Sequence, residues 1–247
     1  MRADPAAQLR LLDLQAVDTG LDQLAHRRGT LPELAEIASL TTGLPPLRDA
    51  VVRARTDVED LARQIKTLEG DVEQVRNRAR RDEERLTSGS ASAKELESLQ
   101  HEVASLARRQ TELEDIELEL MEQQEAAQAA LTTAEAQLSD TEKRLAEAET
   151  RRDAVLAEMA ATEAERRAER EPIAAQVPAD LLALYEKIRS STGAGVGAAR
   201  LRAKRCEGCR LDLSGSDLAA AKAAAEDEVL RCEECRRILV RTPESGL

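Results

Sequence analysis

Apolar residues in the middle of the chain recur at alternating steps of three and four, the spacing of a coiled-coil helix. The most regular stretch, residues 91–171, contains neither Gly nor Pro. Its a and d positions hold Leu96, Leu99, Val103, Leu106, Leu113, Leu120, Leu131, Leu138, Leu145, Val155 and Met159. A helix of this length, roughly 120 Å at about 1.5 Å per residue, cannot bury such a stripe alone, so other helices must lie alongside it.

A second heptad stretch precedes the first. Its apolar positions are Val51, Ala54, Val58, Leu61, Ile65, Leu68, Val72, Val75, Ala79 and Leu86. The connection between the two stretches, at about residues 87–93, is short and polar, which predicts antiparallel neighbouring helices with the hairpin tip at this point. Ser92 and Glu95 have the spacing of a capping box, so the returning helix is predicted to begin here.

A further helix is predicted over residues 8–28, followed by a break at about residues 29–46. The break is inferred from residues that interrupt helices, which are Gly29, Pro32, Gly43, Pro45 and Pro46. The predicted hairpin domain therefore covers residues 1–171.

The chain after residue 171 has a different composition, with Pro172 and Pro178 at its start. Pro178 is expected at the N1 position of a short amphipathic helix over residues 178–190. The glycine-rich run 193–197 lacks the Lys-Ser/Thr ending of a phosphate-binding loop and is interpreted as a turn into a strand. Residues 172–247 form the second predicted domain.

The four cysteines all lie in this second domain. They form two Cys-x-x-Cys pairs, Cys206 with Cys209 and Cys232 with Cys235, separated by 22 residues. This spacing is typical of a tetrahedral site with four thiolates around one zinc ion, which leaves no open position for a substrate. Two disulfides or a redox-active pair are the alternatives, but a reducing cytosol disfavours disulfides. The sequence therefore predicts one structural zinc ion in a small β ribbon.

Composition and charge limit the function classes. With 34% charged residues, no Phe or Trp and one Tyr, the chain has little material for a wide core. No stretch approaches the roughly 20 apolar residues of a membrane span, and the N-terminus lacks the apolar run of a secretion signal, so a cytoplasmic protein is expected. His26 and His101 are isolated in the sequence. No nucleophile and base can be paired, so no enzymatic activity is predicted.

The balance of basic and acidic residues differs between the two predicted domains. Residues 172–247 contain 12 Lys and Arg against 11 Asp and Glu, whereas residues 1–171 contain 24 against 37. The candidate phosphate-binding residues are Arg200, Arg202, Lys204, Arg205, Arg210, Arg236 and Arg237. The first three alternate along a predicted strand and should share one face, a strip able to neutralise a few phosphates. The alternative is a charged strand edge that discourages aggregation.

The chain resembles the bacterial four-cysteine zinc-ribbon proteins with a long N-terminal coiled-coil hairpin, a family long described as a domain of unknown function. The similar segments are Pro178-x-x-Leu181-Leu182-x-Leu184-Tyr185-x-x-Ile188-Arg189, the glycine turn, both Cys-x-x-Cys pairs with Ile238-Leu239, and Ser92-x-Lys94-Glu95-Leu96-x-x-Leu99. The resemblance implies a mainly α fold, a long antiparallel coiled-coil hairpin with a small C-terminal β zinc-ribbon domain.

The same resemblance implies that the ribbon binds nucleic acid, RNA or DNA, and that the coiled coil binds a protein. Some relatives are linked to transcription and flagellar gene control through an alternative sigma factor or messenger RNA. Candidate partner-binding residues at the tip are Lys94, Glu95, Leu96 and Leu99. The alternative is a purely protein-binding adaptor of the transcription machinery, contacting a sigma factor or RNA polymerase. Because the chain supplies its own partner helix, a monomer is expected.

Overall fold

The computed structural model describes residues 1–89, 92–193 and 195–247. The helices are α1 (Pro5–Gly29), α2 (Pro32–Thr87), α3 (Ala93–Ala175), α4 (Ala179–Ser191) and α5 (Gly215–Ala223). The strands are β1 (Ala198–Arg202), β2 (Arg205–Cys206), β3 (Leu230–Arg231) and β4 (Ile238–Val240). The predicted mainly α fold with a long helical hairpin and a small C-terminal β region is confirmed. No helix among the described residues combines the length and the low charge that a membrane crossing requires.

The chain divides into two compact units. One contains residues Met1–Leu34 and Thr150–Leu247, and the other contains Ala35–Glu149. The boundary predicted between residues 171 and 172 divides the chain into two consecutive segments, whereas the first observed unit combines two segments that are far apart in sequence. The first unit instead gathers α1 and the end of α3 with the ribbon, because their side chains share one apolar core.

The unit Ala35–Glu149 is a helical hairpin with a heptad seam. Along α2 and α3 the buried and half-buried positions recur at the predicted spacing of three and four. Leu99, Leu113 and Leu131 of α3 and Ile65 and Val72 of α2 are among the least exposed. Exposed ion pairs flank the seam, namely Arg48 with Glu142, Arg55 with Glu135 and Arg76 with Glu114. Their numbers run in opposite directions along the two helices, as antiparallel packing requires.

The predicted break at residues 29–46 is wrong over most of its length. The chain leaves helical geometry only between Gly29 and Pro32, and α2 then continues through Pro45 and Pro46. Both prolines are exposed, whereas Leu44 beside them is buried in the heptad stripe. Each proline removes one hydrogen-bond donor, but the apolar stripe that crosses this point keeps the helix packed.

The other predicted helix end, at Pro172, is also corrected. Helix α3 continues through Pro172 to Ala175. Ile173 and Ala174 pack against the core of the first unit, and Arg170, one half-turn before Pro172, forms an ion pair with buried Asp18 of α1 at 2.6 Å. These contacts hold the last turn although the proline cannot donate a backbone hydrogen bond. Pro178 is the N-cap of α4 and not its first helical residue.

The start of α3 shows the glutamate half of the predicted capping box, the hydrogen bond from the Ser92 N–H to the Glu95 side chain. The Ser92 backbone N–H donates to Glu95 Oε2 at 2.8 Å, and the Ser92 hydroxyl donates to the same oxygen at 2.7 Å. The backbone hydrogen bond is the main cause that lowers the pKa of Glu95. Ser90 and Ala91 of the predicted tip, and Ala194 of the predicted glycine turn, lie outside the described residues.

The ribbon sheet has the strand order β2-β1-β4-β3. Antiparallel pairs β1 with β2 and β3 with β4 form its two halves, and β1 pairs with β4 in parallel across the centre. The N-terminus extends the sheet edge, because Val229 N–H donates to Met1 O at 3.0 Å and Ala3 N–H donates to Asp227 O at 2.7 Å. Both ends of the chain therefore contribute to one unit.

The apolar core of the first unit joins α1, α4 and the sheet. Its members are Ala3, Ala7, Leu11, Leu14, Val177, Leu181, Tyr185, Ile188, Ala198, Ile238 and Val240. Tyr185 is fully buried and its hydroxyl donates to Asp18 at 2.7 Å. Burial, followed by this carboxylate, raises the pKa of Tyr185. Helix α4 therefore docks the ribbon as its amphipathic pattern predicts.

Candidate metal centre and basic surface of the ribbon

The four cysteine sulfurs converge at one point. They lie within 4.8 Å of one another, and both Cys206 Sγ to Cys235 Sγ and Cys209 Sγ to Cys232 Sγ measure 3.8 Å. A tetrahedron of sulfurs about 2.3 Å from a zinc ion has an edge of about 3.8 Å, so the thiols already have the separation that zinc requires. The chain has a four-cysteine zinc site, which is consistent with one structural zinc ion.

Two turns with the same sequence pattern supply these ligands. Residues 205–210, here called the first knuckle, and residues 231–236, the second knuckle, both read Arg-Cys-Glu-x-Cys-Arg. In each, the last arginine has a left-handed backbone, with φ of 63° at Arg210 and 62° at Arg236. Its N–H donates to the first cysteine carbonyl, at 2.7 Å in the first knuckle and 2.8 Å in the second. The two turns are thus one motif used twice.

Burial opposes ionisation of the first cysteine of each knuckle. Desolvation raises the pKa of Cys206 and of Cys232, although backbone N–H groups two and three residues further on partly offset it. For Cys235, desolvation is again the largest effect, but hydrogen bonds from the Arg237 N–H and the neighbouring thiols outweigh it and lower the pKa. A divalent cation would replace the thiol protons and supply the charge that the buried thiolates need.

Arg237 ties the second knuckle to the first. Its Nη1 donates to Gly208 O at 2.9 Å and its Nε donates to Val196 O at 3.1 Å. Arg241 similarly donates to carbonyls at the end of α5 and in the turn that follows. Both side chains have structural partners, so Arg237 has fewer donors left for a phosphate than an arginine without such bonds. Its role in phosphate binding stays a prediction.

The other basic candidates lie around the first knuckle and β1. Arg200 and Arg202 are exposed on one face of β1, as predicted, but Glu244 lies 4.0 Å from Arg200 and 3.1 Å from Arg202. Lys204 is not in the strand but in the tight turn between β1 and β2, with φ of 65°. The predicted strip is therefore partly neutralised and ends in a turn.

Arg205 and Arg210 complete this surface. Together with Arg202 they line one shallow groove, which also contains Glu207 and Asp212. Within the described part of the chain, no carboxylate lies at ion-pair distance from Arg205 or Arg210. Arg236, the equivalent of Arg210 in the second knuckle, is paired with Glu233 at 3.3 Å. Of the second-knuckle arginines, Arg231 likewise has no ion pair within the described residues, but it lines a cleft with Glu228, Glu233 and Glu234. The first knuckle thus has two unpaired arginines, and the second has one among carboxylates.

The candidate residues at the hairpin tip differ in accessibility. Lys94 and Glu95 are exposed, Leu96 is half-buried, and Leu99 is buried in the seam at 7% exposure. Leu99 is therefore positioned to stabilise the hairpin, and the accessible candidates are the two charged residues.

Sequence reasoning missed two features of the ribbon. The repeated Arg-Cys-Glu-x-Cys-Arg pattern was visible in the sequence and signals equivalent turns. A cleft between α5 and the second knuckle, lined by residues between Leu211 and Leu239, had no signal, because it forms only when separate segments meet.

Comparison with known proteins agrees with this architecture. Residues 14–193 match the CT398-like coiled coil hairpin domain, and residues 205–239 match the C4-type zinc ribbon domain. An uncharacterized protein of Mycobacterium tuberculosis is 39% identical over 241 residues, which cover 98% of each chain.

Solved structures give the same result. A structure from Mycobacterium smegmatis has a TM-score of 0.82 and 34% identity, covering 98% of this chain and 100% of that one. The structure of CT398 from Chlamydia trachomatis has a TM-score of 0.66 at 19% identity, covering 96% and 98%, and supports the fold alone. From the matched domains, and from the relative that is 39% identical over 98% of the chain, this protein belongs to the CT398-like coiled-coil hairpin family with a C4-type zinc ribbon.

Proposed function

We propose that this protein is a non-enzymatic adaptor whose zinc ribbon binds nucleic acid through the phosphate backbone while its coiled coil holds a protein partner. The observation that carries the proposal is that three neighbouring cations, Lys204, Arg205 and Arg210, have no ion pair within the described residues. The proposal contains no catalytic step, because four thiolates would fill the coordination shell of zinc and leave no position for a substrate or water.

The phosphate-binding surface consists of Lys204, Arg205 and Arg210, with Arg202 at its border. Arg205 and Arg210 flank the two cysteines of one rigid turn, so their backbone positions are fixed by the metal site. Phosphate contacts need positive charge held in place but no base-specific geometry. The ribbon has no exposed aromatic residue, since the one Tyr of the chain is buried. We therefore expect binding through phosphates with little sequence preference.

The matched knuckles supply a test with an internal control. The double variant Arg205→Glu with Arg210→Glu reverses the charge of the first knuckle, and Arg231→Glu with Arg236→Glu makes the same change in the second. Both variants lose the equivalent hydrogen bond from the first arginine side chain to the last arginine carbonyl. The second variant also loses the Arg236–Glu233 ion pair, but an exposed pair contributes little. Structural damage should therefore be similar, and a difference in binding reports the position of the charge.

Binding is measured by fluorescence anisotropy with a labelled short RNA strand of mixed sequence and with duplex DNA. We expect the first-knuckle variant to lose at least about tenfold in affinity and the second-knuckle variant to lose much less. Three phosphate contacts predict a slope of about −2 in log affinity against log salt for the RNA strand. Equal losses in both variants, or no salt dependence, would contradict the proposal.

A second candidate function is that of a protein adaptor without nucleic-acid contact. It is favoured by exposed apolar residues on α3, where Ile116 is 43%, Leu118 60% and Met121 50% exposed. Such residues on an otherwise charged helix are suited to a protein interface. The resemblance suggests a sigma factor or RNA polymerase as the partner, with the chain acting as a monomer.

Sedimentation with purified RNA polymerase and sigma factors tests this candidate. Leu118 and Met121 lie close together around α3, and Leu118→Ser with Met121→Ser should abolish co-sedimentation if these two side chains form the interface. Lys94→Glu should abolish it if the exposed tip is used. Co-sedimentation that is retained in the Leu118/Met121 variant and in the Lys94 variant would contradict a partner site on that part of α3 and at the tip. RNA binding that remains normal in these variants would separate the two functions.

A further inference from the structure

A cleft of about 370 Å³ lies between α5 and the second knuckle. Its volume is at the small end of the range for ligand pockets, about 300–1,000 Å³. The apolar lining comes from Leu213, Ala220, Ala221, Val229, Leu230 and Leu239. Leu211 also lines the cleft and is 52% exposed, although it is a large apolar side chain. The cleft therefore offers an accessible apolar surface next to the metal site.

The residues around this apolar surface are strongly acidic. Five carboxylates line the cleft, those of Asp212, Asp217, Glu228, Glu233 and Glu234, against the single cation of Arg231. The Arg231 side chain donates its Nε hydrogen to Arg236 O at 3.0 Å. In the described part of the chain, only Glu233 among the five has a cationic side chain at ion-pair distance, which is that of Arg236. Four carboxylates thus remain available to a ligand.

The distribution of these carboxylates decides the kind of ligand. Asp217 lies in the first turn of α5, Glu228 precedes β3, and Glu234 belongs to the second knuckle, so the charges come from separate elements. A compact cation would need carboxylates gathered at one point, whereas cationic side chains spaced along an extended chain can meet carboxylates from several elements. Nucleic acid is excluded from this surface by repulsion between phosphates and carboxylates.

We propose that this cleft binds a peptide segment of a partner protein in which an apolar side chain is flanked by Lys or Arg. The apolar side chain would enter between Leu211 and Leu230, and the flanking cations would pair with Glu228 and Glu234. Apolar burial supplies the affinity and the carboxylates select basic segments over acidic ones. This site differs from the proposed nucleic-acid surface at the first knuckle, although Asp212 lines both the cleft and that groove.

The test uses a fluorescein-labelled peptide in which two leucines alternate with lysines and arginines, measured by anisotropy with the full-length zinc-loaded protein. The cleft variant is Glu228→Lys with Glu234→Lys, which avoids Asp212. Its matched control is Glu122→Lys with Glu125→Lys, two exposed positions on α3 that change the net charge equally. Zinc content and Tyr185 fluorescence verify that the ribbon remains folded in both variants.

We expect the cleft variant to weaken peptide binding by about tenfold or more and the control by less than about twofold. A peptide with both leucines replaced by serine should bind about tenfold more weakly to the unchanged protein, and Leu211→Ser should weaken binding of the leucine peptide. Failure of the unchanged protein to bind, equal effects of the two double variants, or equal binding of the serine peptide would overturn the proposal. A dimer that the cleft variant abolishes would assign the cleft to a second copy of the chain and would also overturn it.

Discussion

The two zinc knuckles have matching backbones but different surroundings. Each has a left-handed arginine after its second cysteine and a side-chain hydrogen bond from its first arginine to the carbonyl of its last. The residue between the glutamate and the second cysteine is Gly208 in the first knuckle and Glu234 in the second. The residue after the last arginine is Leu211 in the first and Arg237 in the second. The metal site requires the shared features, while the differing ones set packing and charge.

This difference accounts for the opposite chemistry at the two knuckles. The first knuckle adjoins Lys204 and leaves Arg205 and Arg210 without ion pairs in the described residues. The second adds Glu234 and pairs Arg236 with Glu233. A small repeated motif therefore borders a groove with unpaired arginines on one copy and an acidic cleft on the other, and the two proposed sites would take ligands of opposite charge.

The largest expected effect tests what the knuckles share. Cys209→Ser and Cys235→Ser, at equivalent positions, should each remove the zinc and unfold the ribbon, because structural zinc supplies on the order of 10 kcal/mol to such domains. Zinc content should fall well below one ion per chain, and Tyr185 fluorescence should report loss of its core. Far-UV circular dichroism should keep most of its helical signal, since the hairpin unit has its own seam. A variant that keeps full zinc would show that the knuckles do not share one ion.

The next effect separates the knuckles by packing. A Cβ at Gly208 would lie 2.8 Å from Arg237 Cδ and 2.9 Å from Ala199 Cβ, closer than side-chain atoms normally approach. Gly208→Ala should therefore destabilise the ribbon by about 1–3 kcal/mol, the usual cost of overpacking. Glu234→Ala at the equivalent exposed position should change stability by less than about 0.5 kcal/mol. Urea unfolding followed by Tyr185 fluorescence measures both, and equal stabilities would contradict the packing difference.

Much of this architecture was predictable because it depends on local patterns. Heptad spacing locates the seam, and the two Cys-x-x-Cys pairs identify the metal ligands without knowledge of the surrounding fold. The break predicted at Pro45 and Pro46 is wrong because the apolar stripe of Leu40, Leu44 and Leu47 continues through the prolines and keeps the helix packed. Packing against a partner helix outweighs two lost hydrogen bonds, and the stripe was the better signal.

Other features depend on distant contacts and had no local signal. The sequence does not distinguish the role of Arg237 from that of the neighbouring arginines, because a guanidinium can donate equally well to a phosphate or to backbone carbonyls. Only the fold places Gly208 O and Val196 O within its reach. The sequence around Leu11 likewise does not indicate that this side chain packs in the core beneath the ribbon sheet, where it is fully buried.

The smallest expected effect compares the residues that follow each knuckle. Arg237→Gln removes the Nη1 hydrogen bond to Gly208 O and the Nε hydrogen bond to Val196 O, which should cost about 1–2 kcal/mol because the two carbonyls are partly buried. Leu211→Gln introduces the same side chain at the equivalent exposed position and should change stability by less than about 0.5 kcal/mol. Tyr185 fluorescence in urea measures both variants with zinc bound. If Arg237→Gln weakens RNA binding while stability is unchanged, Arg237 contacts phosphate and its assignment as a tie between the knuckles is wrong. A loss of stability with RNA affinity retained supports the tie. The charge at Arg205 and Arg210 would then be sufficient for binding.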